Sequence, residues 1–471
     1  MYDAIIVGSG PNGLSAAITL ARAGKKVLIR EAAATVGGAS RSAELTLPGF
    51  THDVCSAVQA LVPLSPFFNS LPLADLGLSF VEPAAAFAHP LDDGTAAVLY
   101  RSFEKTGETL GIDCATWARH LEGFVNHWQQ LIPELLAPMG LTAHPLLMAK
   151  FGLSAMRSAK GLAGNWFSGE PARALFAGVA AHAILPFDWT ASAAAGLVLT
   201  VAAHVGGWPM VRGGAQELSN ALARYFTSLG GIIETNAPVT TIDELSNART
   251  ILCDVSPRQL IALAGHKLPD RYARRLGRYR YGPGIWKVDW ALDGPIPWSA
   301  PSCADAGTVH LGGTFDEIAI AEQAPWSGQH AERPFVLLGQ PTLFDSSRAP
   351  AGKHTAWAYC HVPNGSTVDM TERIESQVER FAKGFRQRIL AKHVMSPADF
   401  QTYNANLIGG DITGGANMFS QVFARPVLRH DPYSTPLKGL YLCSASTPPG
   451  GGVHGMCGYW AARSALRRDL A

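Results

Sequence analysis

The residues best suited to chemistry stand at the start of the chain. Gly8-Ser9-Gly10-Pro11-Asn12-Gly13 has the spacing of a phosphate-binding glycine turn. In such a turn the first glycine permits the tight bend and the second admits a pyrophosphate close to the backbone. The third lets the following helix sit against its strand. Glu31 follows at about the distance of a ribose-binding acid. A carboxylate there accepts hydrogen bonds from ribose hydroxyls and repels a 2′-phosphate, which suits the ADP half of NAD or FAD over NADP. Just beyond it, Gly37-Gly38 and Arg41 form a loop able to fold back over such a ligand, with Arg41 toward the pyrophosphate. A second glycine loop, Pro448-Pro449-Gly450-Gly451-Gly452, lies at the other end of the chain.

The elements around these residues are those the chemistry requires. Ala4-Ile5-Ile6-Val7 is a short apolar, β-branched run and reads as a buried parallel strand. Leu14, Ala17, Ile18, Leu20 and Ala21 recur at helical spacing, Gly24 ends the helix, and Val27-Leu28-Ile29 is the next strand. Strand, glycine turn, helix, strand and acid within about 30 residues is the context that gives the motif its meaning. Near the C-terminus, Gly439 to Cys443 reads as a strand and Val453 to Leu466 as a helix, so the second glycine loop also leads from a strand into a helix N-terminus, an anion-stabilising position. The two ends of the chain are therefore expected to meet over one extended cofactor.

Composition narrows the class. The 471 residues are 47% hydrophobic and 16% charged, with a net charge of +1. That charge gives no electrostatic case for nucleic acid. The 7 cysteines are odd in number, widely spaced and without a CxxC pair, which argues against a disulfide framework, a zinc site or a redox disulfide, and for reduced thiols in a cytoplasmic setting. No signal peptide is expected before the first strand, and Ala191 to Ala203, the longest apolar stretch, is too short to span a bilayer.

Between about residues 65 and 205 no further fingerprint appears. Leu131 to Gly164 is dominated by Leu, Met, Ala, Phe and Pro, and Ala172 to Ala183 and Ala191 to Val205 read as small-residue helices. Such segments form a core, line an apolar substrate cavity or touch a membrane surface; the sequence leaves these open. Val211-Arg212-Gly213-Gly214 then precedes a helix carrying Leu218, Leu222, Tyr225 and Phe226, and Ile232–Thr235, Val239–Ile242 and Thr250–Asp254 read as strands. Ile285–Leu292, Phe335–Leu338 and Ala356–Tyr359 read as further strands, and Glu372 to Val394 as an amphipathic helix.

Together these stretches resemble the phytoene desaturase-like group of FAD-dependent oxidoreductases. More broadly they are similar to the flavin amine oxidase superfamily. Pro449-Gly450-Gly451-Gly452 with Gly458-Tyr459 looks closest to the carotenoid-ketolase-like and pyridine nucleotide-disulfide oxidoreductase domain-like branch. The resemblance implies an α/β fold with a glutathione-reductase-type, Rossmann-like FAD-binding domain from 1–64, 206–270 and 405–471. An interleaved α+β substrate domain would come from 65–205 and 271–404. It also implies site roles. Gly8, Gly10, Pro11, Asn12, Gly13 and Glu31 would hold the ADP moiety, with Gly38 and Arg41 near the pyrophosphate or flavin and Val239 meeting the adenine through its backbone. Gly451, Gly452 and Val453 would sit against the flavin pyrimidine edge. One departure is notable: Pro448 stands where the family often has a histidine, and His454 follows the loop instead.

The expected reaction is dehydrogenation, with hydride passing to flavin N5 from a largely apolar substrate. Desaturation of a polyene needs no strong base. His454, His182, His204 and His310 are the candidates should one act, His454 first because it follows the flavin-side loop. Only one complete glycine fingerprint is present, so the electron acceptor is expected to be diffusible, O2 or a quinone. A flavin amine oxidase, a saturase or isomerase using reduced FAD, and a non-catalytic flavoprotein are the alternatives. No metal site is expected, peripheral membrane contact stays open, and the oligomeric state is not indicated.

Overall fold

The computed structural model describes residues 1–471. The opening strand Tyr2–Val7 is the middle of a five-stranded sheet in the order Leu440–Leu442, Ala248–Cys253, Tyr2–Val7, Val27–Arg30, Ile232–Glu234. Every pairing in it is parallel. Three separate stretches of chain thus build one Rossmann-like sheet. The helix Pro11–Arg22 crosses one face and ends at Ala23, followed by Gly24 with φ of +75°. The closing helix Met456–Arg468 packs directly on it. Gly458 allows that approach, because a Cβ there would stand 1.8 Å from the Asn12 carbonyl oxygen. The two helix N-termini are therefore neighbours at the edge where the strands end.

A seven-stranded sheet forms the second layer, in the order Ile389–Met395, Gly284–Leu292, His354–Val362, Val336–Gly339, Ala306–Leu311, Ala85–Pro90, Ala96–Leu99. Side chains alternate across it. Trp286, Val288, Trp290, Ala356, Ala358 and Cys360 point to one face and bury against Ile374, Val378 and Phe381 of the helix Thr371–Phe381. The opposite parity gives Lys287 paired with Tyr359, Asp289 with Trp357, and His361 with Ile285. His310 lies in the same row, paired with Leu337, which pairs with Tyr359. One face of this sheet is thus apolar and the other carries a row of titratable and aromatic groups.

The small-residue helices, Glu170–Ala180 and Ala193–Gly206, are core. A Cβ on Gly196 would lie 3.1 Å from Ala180 Cα, so the small side chains serve close helix packing. Two elements differ from expectation. Val239–Ile242 is no strand; it leads into a short turn of helix, Ile242–Leu245, capped reciprocally by Thr241 and Glu244. The threonine hydroxyls satisfy local groups there and compete with a ladder. Residues 372–394 are not one helix: the helix ends at Phe381, Gly384 turns at φ of +91°, and Ile389–Met395 joins the sheet edge beside Gly284–Leu292. No helix is long and apolar enough to cross a membrane.

Candidate active site

The carboxyl ends of the parallel strands open onto a cavity of about 570 Å³. This is where open α/β sheets hold their ligands. Gly8, Gly10, Pro11, Asn12, Glu31, Gly38, Arg41 and Val239 all line it. Gly10 serves as N-cap of the first helix with no side-chain cap of its own, Pro11 follows at its first turn, and Asp254 from a neighbouring strand takes the Gly13 amide, leaving the Asn12 N–H at the cavity end of the helix. Arg41 lies over the ring of Tyr403 at 5.4 Å, and the Tyr403 hydroxyl donates to the Gly38 carbonyl at 3.3 Å.

Glu31 is more occupied than its position suggests. Its carboxylate accepts the Ser9 amide at 2.8 Å, the Ser9 hydroxyl at 2.6 Å, the Ala33 amide at 2.8 Å and Arg41 Nη2 at 3.3 Å. Four donors fill its acceptor capacity. It clamps the glycine turn to the end of its strand, and a ribose would reach it by taking the place of the long Arg41 contact.

Asp254 is the acid the sequence reading passed over. It follows the strand Ala248–Cys253 and lies inside the glycine turn. Its Oδ2 accepts the Gly13 amide at 2.9 Å, and a Cβ on Gly10 would stand 2.6 Å from the same oxygen. Burial is the main cause lifting its carboxyl to about 7, opposed by the Gly13 amide and assisted by the Glu31 charge. Its place at the end of the strand next to the fingerprint strand was the available signal.

The residues fit a dinucleotide. Arg41 Nε and Asn12 Oδ1 are buried without partners beside the turn, and orphaned buried polar atoms of this kind call for a ligand. Gly451, Gly452 and Val453 stand apart from this cavity. A Cβ on Gly451 would meet the Thr413 carbonyl at 2.7 Å, and one on Gly452 would meet Leu61 and His454 at 3.4 Å. The closing helix begins only at Met456, after Gly455 in a left-handed conformation.

The segment after residue 50 joins this cavity to the titratable sheet face. Tyr403 and Ile412, which line the cavity, pack on the same small apolar cluster as Cys55 and Tyr359. Lys287, wholly buried, pairs with Asp289 and donates to the Asp53 carbonyl at 3.1 Å. Arg212-Gly213-Gly214 is no anion site. Asp345 accepts the Gly213 amide at 2.7 Å and Asp53 the Ala215 amide at 2.7 Å, while buried Arg348 bridges Asp53 at 2.7 Å and Asp345 at 3.3 Å.

The four histidines sort by their partners. His454 is a correction: both its ring nitrogens are taken by backbone, Nδ1 accepting the Met456 amide at 3.1 Å and Nε2 donating to the Gly450 carbonyl at 3.2 Å. Burial lowers its pKa to about 4, so it is a neutral brace for the glycine loop and offers no lone pair to a substrate. His204 is likewise engaged, by Trp117 Nε1 at 3.0 Å and the Arg101 carbonyl at 3.0 Å. His182 and His310 face each other, Nε2 to Nε2 at 3.1 Å. Burial holds His182 near 3 and His310 well below its ordinary value, so both are neutral. His182 is half-buried and is followed at one residue's remove by Ile184, held at φ of +53°, a strained position for a β-branched side chain.

The chain matches the NAD(P)-binding Rossmann-like domain model over residues 6–69. It is 26% identical to pyridine nucleotide-disulfide oxidoreductase domain-containing protein 2 of Rattus norvegicus, over 99% of this chain and 93% of that protein. It is 24% identical to the neurosporene-forming phytoene desaturase of Rhodobacter capsulatus, over 97% of this chain and 92% of that one. The chain is an oxidoreductase, similar over nearly its whole length to these two proteins. Its fold is also that of putrescine oxidase, with a TM-score of 0.62 at 18% identity and 99% of each chain covered. In this oxidoreductase the Rossmann-like sheet is built from strands near both ends of the chain, Tyr2–Val7 and Leu440–Leu442.

Proposed function

We propose that the cavity holds FAD and that the chain dehydrogenates a largely apolar substrate, releasing electrons to a diffusible acceptor, O2 or a quinone. The observation that carries this reading is the continuity of the cavity. It runs from Glu31 and Val239 past the glycine turn to Gly414 and Ser446, and its Tyr403 and Ile412 wall backs onto Cys55 and Tyr359. That path supports a ligand longer than ADP, whose far end would meet the Tyr403 and Ile412 wall.

The bound flavin supplies the two-electron acceptor. The chain's own residues supply the rest. Asn12, Arg41 and the N-terminus of the first helix hold and orient the pyrophosphate. Trp357, Tyr359 and Cys55 give a wall that excludes water, and burial keeps the Cys55 thiol protonated by raising it to about 11. Neutral His182 adds no charge to that wall, which suits loss of hydride from a carbon chain that delocalises positive charge. Amine oxidation is the second reading. It is favoured by Trp357 and Tyr359, whose rings lie 6.0 Å apart at 9°, a surface against which a protonated amine can sit.

Anaerobic bleaching of the bound flavin tests the choice. Polyenes, retinoids and fatty acyl compounds are offered beside primary amines and diamines. Bleaching by the first group supports desaturation, bleaching by amines alone supports the second reading, and bleaching by neither overturns both.

A further inference from the structure

A second cleft, of about 480 Å³, lies along the C-terminal end of the opening helix and shares no lining residue with the dinucleotide cavity at its N-terminal end. Its lining joins the opening helix, the closing helix and the turn at Pro66–Ser70, and includes Phe67, Tyr459 and Trp460 with Arg22 and Arg463. Neither arginine meets a carboxylate. Arg22 donates to the Ser70 hydroxyl at 3.0 Å, and Arg463 lies over the Tyr459 ring at 5.9 Å with its nearest bond to that hydroxyl. Trp460 Nε1 donates to the Leu136 carbonyl at 3.0 Å, which fixes the cleft beside the segment that follows.

That segment is apolar and exposed. Met139, Leu141, Leu146 and Leu153 each keep at least 69% of their surface in solvent, on a loop and the helix Pro145–Ala155. The helix carries Lys150 as its sole charge, and Lys160 follows, exposed. The nearby acid, Glu134, is already occupied by the Ala143 amide at 2.8 Å. Exposed leucines beside an aromatic cleft and a rim of unpaired cations have the chemistry of an interfacial anchor. The positive rim is complementary to phosphate headgroups, and the leucines to the acyl boundary beneath them.

We propose that this face docks on an anionic lipid bilayer, with Arg22 and Arg463 binding headgroup phosphates and Met139, Leu141 and Leu146 entering the acyl boundary.

The full-length, flavin-loaded protein is floated with phosphatidylcholine vesicles, with or without phosphatidylglycerol. The expected result is capture by the anionic vesicles alone, weakened by salt. Arg22→Gln with Arg463→Gln should lose capture on the order of 25-fold, at about fivefold for each cation. Leu141→Ser with Leu146→Ser should also lose it, both variants keeping the wild-type melting temperature. The inference is overturned if wild type stays unbound, if neutral vesicles bind it equally, or if inorganic phosphate displaces it as well as salt does. Variants that bind like wild type overturn it too. Should the arginine pair unfold the protein, Lys150→Gln with Lys160→Gln gives the same reading of charge.

Discussion

The Gly13 amide donates to Asp254 Oδ2 at 2.9 Å, placing a buried acid inside the turn that should cradle a pyrophosphate. Its carboxyl, raised from 3.8 to about 7, keeps its proton in the fold across a range where the unfolded chain has lost it. The stability this contributes is full below pH 3.8 and is lost as pH rises through about 7. Asp254→Asn keeps the acceptor for Gly13 and cannot ionise. The variant is expected to melt higher than wild type at pH 8, to match it at pH 4, and to hold the dinucleotide more tightly at pH 8. Melting curves and cofactor titration at the two pH values check this.

Buried histidines act in the opposite sense. His52 and His182 are lowered to about 3, and His89, His204 and His454 to about 4, all chiefly by burial. Their contribution is present above the unfolded value near 6.5 and is lost as pH falls toward 4. Five such groups outweigh the single Asp254. Denaturant midpoints should therefore fall steeply between pH 7 and pH 5, with net proton uptake on unfolding.

His182 and His454 are separable by their partners. His454→Gln removes a brace and should lower stability by about 1 kcal/mol with turnover little changed. His182→Gln should lower turnover while flavin content and melting temperature hold, because His182 is itself half-buried where it meets His310. Steady-state kinetics with flavin absorbance on the same samples reads both.

Arg348 joins Asp53 to Asp345 with all three buried. Arg348→Met leaves two carboxylates unpaired and should cost about 3–5 kcal/mol, measured by urea unfolding.

What the sequence made legible follows its periodicities. The glycine turn, Glu31, Val239 and the strand–helix–strand unit are local patterns, and of them Gly8, Gly10, Glu31 and Val239 line one cavity. Asp254 is visible in sequence only as an acid ending a strand; the parallel pairing of Ala248–Cys253 with Tyr2–Val7 is what brings it to the turn. His454 was ranked first by proximity in sequence to a glycine loop, whereas its bonds to Gly450 and Met456 depend on how that loop closes. The row Lys287, Tyr359 and His310 arises from strand register across distant segments, which single-strand alternation cannot give. Residues 372–394 read as one helix because their charges are helically spaced, and the vacant edge of Gly284–Leu292 drew the second half into the sheet.

The central claim, that both chain ends close over FAD, is tested most directly by identifying the dinucleotide the purified protein retains, in wild type and in Gly458→Val. Wild type should carry one FAD per chain, released on denaturation and recognised by its visible spectrum and mass. Gly458→Val, whose side chain cannot fit against Asn12, should lose it along with stability. A wild-type protein that holds a nicotinamide dinucleotide, or takes up no flavin when FAD is supplied, would contradict the account.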